Sequence, residues 1–95
     1  VIGTWVVAPP YAFGTMKEYV ESVLRLADWV GVEHVGWATD QIEAGLPEWF
    51  RRYTELPQIC AALLDGGFSE QDLIRFIGGN LLRVYDAVVT PNLAI

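Results

Sequence analysis

The chain has 95 residues, six Lys plus Arg against twelve Asp plus Glu, and a formal net charge of −6. That length allows one domain or a piece of one and excludes a complete barrel enzyme. An acidic chain without a basic cluster lacks the footprint that nucleic-acid phosphates or an anionic lipid surface require, so neither is expected as a partner.

The apolar balance is high for so short a chain. Hydrophobic residues make up 53%, and mean hydropathy is +0.30. A small domain has much surface for its volume and should be more polar than average. The excess predicts a chain that buries much of itself against a partner, or a segment of a larger core. No apolar run reaches the ~18–20 residues of a membrane span, and no basic start followed by an apolar stretch marks a signal peptide. The single cysteine, Cys60, can form neither an internal disulfide nor a zinc knuckle, which permits a reducing, cytoplasmic compartment.

In chain order, Val1–Val7 is a β-branched and aromatic run that suits a strand buried on both faces. Ala8–Gly14, with Pro9, Pro10 and Gly14, is a loop. Thr15-Met-Lys-Glu18 is a capping-box pattern. Met16, Val20, Val23, Leu24, Ala27 and Val30 follow at helical spacing up to a Gly31 cap, which predicts a helix over Met16–Val30. Val32–Thr39 reads as a second strand with Asp40 at its C-terminal end. Strand, loop, helix and strand form a βαβ unit over 1–40, which predicts parallel neighbours. Residues 41–54 form an irregular loop. Helices fill 55–89: one with Pro57 in its first turn, ending at Gly66-Gly67, then a short one capped by Ser69. The last is capped by Asn80 and runs to about Val88. Residues 90–95 read as a tail. Two parallel strands alone leave unpaired edges and bare apolar faces, so the expected fold class is α/β, the end of a larger protein.

Catalytic groups in such folds gather where strands meet their following loops. Asp40 holds that position, where a carboxylate can hold a proton, orient an amine or touch a metal; it can equally cap a turn. His34, at the opposite strand end, is expected to be structural. Arg51 and Arg52 read as a solvated pair, and Cys60 as a buried, unreactive small hydrophobe. Gly78-Gly79-Asn80 lacks the preceding strand and the Lys of a phosphate loop, which leaves the capping role.

The stretch Val32-Glu-His-Val-Gly-Trp-Ala-Thr-Asp40, together with Ile77-Gly-Gly-Asn-Leu-Leu-Arg-Val84, resembles the C-terminal part of the membrane (renal) dipeptidase family. Leu56-Pro57 and Gly67-Phe68-Ser69 fall between them in the family's order. The resemblance implies zinc peptidases on an amidohydrolase-type (β/α)₈ TIM barrel, with this chain supplying the last two strands and the C-terminal helices. It makes Asp40 the strand-eight aspartate, which contacts substrate and shuttles a proton as a dipeptide bond is hydrolysed. It implies Zn²⁺ held by a His-x-Asp, a bridging Glu and two further His on earlier strands, so no metal ligand is expected in this segment. The segment would then be inactive without the remainder of the barrel or a partner chain supplying it. Two departures stand out: Asp40-Gln41-Ile42-Glu43 where the family has Asp-Phe-Asp-Gly, and Ala38 where it has Gly. They bear on substrate specificity more than on fold. The alternatives are another amidohydrolase-superfamily hydrolase, or a helical interaction module, because Gly67-Phe68-Ser69-Glu70-Gln71 also resembles the turn of ubiquitin-associated domains.

Overall fold

The computed structural model describes residues 1–5, 13–38 and 46–93. Its first helix, α1, spans Met16–Val30, the predicted bounds. Thr15 Oγ1 accepts from the Glu18 amide at 3.1 Å, and the Glu18 carboxylate accepts from the Gly14 amide at 3.2 Å. The capping box therefore reaches one residue further back than its pattern implied. At the other end Gly31, at φ 96°, donates its amide to Ala27 O at 2.8 Å. That left-handed backbone angle strongly favours a residue without Cβ.

β1 (Ile2–Trp5) and β2 (Val35–Ala38) pair in parallel, with Ile2 opposite Val35 and Trp5 opposite Ala38, and α1 lies between them in sequence. The βαβ reading holds. Both strands start later than predicted, at Ile2 and Val35, and Val6, Val7 and Thr39 lie outside the described residues. Val32–His34 form a 3₁₀ turn rather than the start of a strand. The reason is a competition for backbone acceptors: the Val32, Glu33 and Val35 carbonyls bond to side chains of the last helix.

Alternation along the strands sets two faces. Thr4, Val35 and Trp37 face the helices, and Val35 is fully buried. The other face carries Gly3, Gly36 and Ala38, close enough that a Cβ on Gly3 would sit 3.3 Å from that of Ala38.

The core gathers around Tyr19, which is fully buried on α1. Its ring meets Phe13, Trp49 and Trp37 at 5.4, 5.6 and 5.9 Å between centroids. Its hydroxyl lies 2.8 Å from Thr4 Oγ1 and donates to Thr4 O at 3.1 Å, while Thr4 Oγ1 donates to Gly36 O at 2.8 Å. Two hydroxyl protons thus serve three acceptors and tie α1 to both strands. Burial pushes the Tyr19 phenol well above its ordinary range, and the Thr4 contact offsets this in part. Because the folded state keeps a proton that the unfolded state releases near pH ~10, stability is full below that pH and falls above it by ~1.4 kcal/mol per unit. Denaturant midpoints measured from neutral pH to pH ~11.5 should show this fall, and Tyr19→Phe should flatten it. A fall of equal slope in both proteins would place its origin elsewhere.

Tyr53–Glu55 form a 3₁₀ turn leading into α2, Leu56–Asp65, with Pro57 in the first turn. α3 spans Glu70–Ile74, capped reciprocally by Ser69 and Asp72. Gly78-Gly79 does not break the chain here. Arg75–Gly79 form a π turn that runs directly into α4, Asn80–Leu93. Asn80 is therefore not a cap, and Thr90–Leu93 are helical rather than a tail, since Val84–Val89 contain no Gly or Pro to stop the helix. The π turn carries Phe76, 1% exposed, into the core against Trp37 and Phe68. No helix of the described residues is long and apolar enough to cross a membrane.

Candidate functional site

Parallel pairing brings the C-terminal ends of both strands, Trp5 and Ala38, side by side. The chain leaves both strands from that end, and Asp40 follows β2 in sequence. Asp40 itself lies outside the described residues. The segments that resume at Phe13 and Leu46 are described. Trp49 Nε1 donates to Phe13 O at 3.2 Å, which fastens the one to the other. Pro47 and Phe50 are buried, and the Phe50 amide donates to Pro47 O at 3.0 Å. The Phe50 ring meets Trp37 of β2 at 5.2 Å. An aromatic wall of Phe13, Tyr19, Trp37, Trp49 and Phe50 thus underlies this end of the strands. Sequence reading missed the Trp49–Phe13 tie. Its only signal was a Trp beside Pro47 in an otherwise irregular segment.

The opposite end holds different chemistry. His34 lies exposed in the 3₁₀ turn, its Nε2 3.6 Å from a Glu33 carboxylate oxygen. It is at the N-terminal end of β2, in keeping with a role outside the reaction. Asn80, fully buried on α4, donates through Nδ2 to Val32 O at 2.7 Å and to Val35 O at 2.9 Å. Arg83 donates to Asn80 Oδ1 at 3.0 Å and to Glu33 O at 2.8 Å.

Arg51 and Arg52 are exposed, as a solvated pair should be. Cys60 is half-buried rather than buried, because only one side of α2 meets the core; burial still pushes its thiol up, which disfavours the reactive thiolate. Phe68, the centre of the Gly-Phe-Ser turn, packs into the core 6.1 Å from Phe76 instead of forming an exposed docking patch. Among the described residues, no three His, Cys, Asp or Glu side chains come together as a metal site.

Comparison with known proteins gives this arrangement its context. The family described as Membrane dipeptidase (Peptidase family M19) matches over residues 7–93. The chain is similar to Dipeptidase verJ of Clonostachys rogersoniana, with 32% identity over 79 residues that make up 78% of this chain and 19% of that protein. It therefore spans about a fifth of the length of that curated relative. No solved structure gives a significant match. The family match takes in β2, the aromatic wall and the Asn80–Arg83 turn alike, and the chain belongs to the membrane dipeptidase family.

Proposed function

We propose that this chain is the C-terminal segment of a metal-dependent dipeptidase built on a (β/α)₈ barrel, with β1 and β2 as its seventh and eighth strands. The observation that carries this reading is the family match over residues 7–93, which takes in α1, β2 and the later helices, while β2 pairs in parallel with β1 just ahead of the matched range. Three features support the barrel. The sheet has two strands, so each keeps an outer edge with no described neighbour. Gly3, Gly36 and Ala38 share one sheet face, with a Cβ on Gly3 only 3.3 Å from that of Ala38, and such close approach suits the crowded interior of a barrel. Leu81, Val84 and Val88 on α4 are all exposed and recur at spacings of three and four, so they form one apolar stripe, and Ile74 and Ile77 just before it are exposed as well. The remainder of the barrel, or a partner chain supplying it, would cover all three.

Asp40 follows β2 in the chain and is the residue we assign to the chemistry. Hydrolysis of a dipeptide adds water across the amide: the water oxygen attacks the carbonyl carbon, and the C–N bond breaks. One proton must leave the water, and one must reach the departing amine. A carboxylate at the end of the eighth strand can take the first and return it as the second. The described residues do not by themselves fit a zinc site. Zinc, which the family resemblance implies, would be held by side chains from elsewhere, and the segment would be inactive alone.

The test compares the complete protein with the 95-residue chain on a panel of dipeptides, tripeptides and simple esters. Release of free amino acids from dipeptides by the complete protein only is expected. Ester or tripeptide hydrolysis with dipeptides left intact would replace the dipeptidase reading by another amidohydrolase, and turnover by the chain alone would overturn its dependence on the rest of the barrel.

A further inference from the structure

The Gly78-Gly79-Asn80-Leu-Leu-Arg83 run holds no metal ligand and stands at the N-terminal end of β2, yet it contains Asn80, the buried polar side chain among the described residues. Every polar atom of that side chain is satisfied. Both Nδ2 protons go to carbonyls that bracket the start of β2, Val32 O and Val35 O, and Oδ1 accepts from Arg83. The second Arg83 nitrogen takes the carbonyl between them, Glu33 O. Two side chains one helical turn apart therefore grip three carbonyls within four consecutive residues. A slide of β2 by one residue, about 3.3 Å, would break all of these bonds together. On its other side β2 is held by Thr4 Oγ1 at Gly36 O.

We propose that Asn80 and Arg83 are positioning residues for the hydrolytic reaction, fixing where β2 sits along its own axis and hence where its C-terminal end delivers the chain to the reacting centre. The proposal rests on the dipeptidase reading above. The clasp is a fork matched to backbone geometry. An Asp at position 80 would lose both donors and set a charge against two carbonyls. A Lys at position 83 keeps the charge but cannot span both of its acceptors at once. The separation from the C-terminal end of β2 is no objection, because a strand paired along its length transmits an axial shift with little loss.

The experiment uses the complete enzyme with Arg83→Ala, Arg83→Lys and Asn80→Ala, each also combined with Asp40→Asn. Turnover number, KM for a dipeptide, bound metal and melting temperature are measured for each. Misplacement by about 1 Å can cost on the order of 100-fold in rate, so Arg83→Ala is expected to lower kcat by ~10–100-fold. KM and metal content should hold nearly constant, and Arg83→Lys should recover part of the loss. A residue acting through β2 on Asp40 should have nothing left to act on once Asp40 is gone, so the combined variants should be no slower than Asp40→Asn alone. Should Asn80→Ala fail to fold, the Arg83 variants carry the test, because Arg83 is exposed. Unchanged kcat in folded variants, or the same fold-loss with and without Asp40, overturns the positioning role while leaving the dipeptidase reading intact. A wild-type enzyme with no dipeptide turnover overturns that reading, and this proposal with it.

Discussion

In the complete enzyme, Asp40→Asn is expected to lower dipeptide turnover by ~10²–10⁴-fold, the usual contribution of a positioned general acid–base. The amide keeps the shape of the carboxylate and most of its hydrogen bonding but can no longer accept and return a proton. Bound metal and melting temperature should stay close to wild type, because the assigned role is proton transfer and not packing or ligation. Turnover, metal content and thermal stability measured side by side separate the possibilities. Turnover within a fewfold of wild type would make Asp40 a turn residue. A joint collapse of stability and activity would make it structural.

The largest expected loss of stability comes from Phe76→Ala, at about 3–5 kcal/mol. Phe76 is 1% exposed and its ring sits edge-on to Trp37 at 6.5 Å and to Phe68 at 6.1 Å. The truncation removes the contact between the π turn, β2 and the α2–α3 connection in one step. The cavity cannot collapse easily, because the Trp37 and Phe68 rings frame it. Phe76→Leu keeps much of the volume and should cost far less, under about 2 kcal/mol. Denaturant midpoints of the two variants supply the comparison; equal losses would mean that the ring geometry, and not the filled volume, holds this layer.

Local signals were legible in the sequence, and long-range ones were not. Helix α1 has its predicted bounds because both its stops, Thr15 and Gly31, act within a turn of the helix they end. The start of β2 was misread because its carbonyls are claimed by Asn80 and Arg83, 45 to 50 residues away in sequence. No local pattern encodes that. Gly78-Gly79 was read as a break because glycine usually ends helices. Here a Cβ on Gly79 would lie 3.1 Å from Ile74 O, so the missing side chain admits a close backbone approach within a continuous helical run. The same helix hid the pairing of Asn80 with Arg83, although their spacing of three puts both on one face. For the site, Asp40 was singled out by its place after a strand and by the family resemblance, while Trp49 was missed because its partner is a backbone carbonyl at Phe13.

The clasp on β2 also bears on how the protein is made. Val35 leaves the ribosome 45 residues ahead of Asn80, which at ~5–20 residues per second is a lead of about 2–9 s. Through that interval the side-chain clasp on the carbonyls of residues 32, 33 and 35 is missing, so β2 gains its full hold on register only after Asn80 and Arg83 have emerged. A chain stopped short of residue 80 would keep its βαβ unit and still lack the means to fix it, and quality-control proteases would meet it as an open sheet edge. Synonymous changes that slow decoding between residues 36 and 79 lengthen that exposure without altering a single contact in the finished fold.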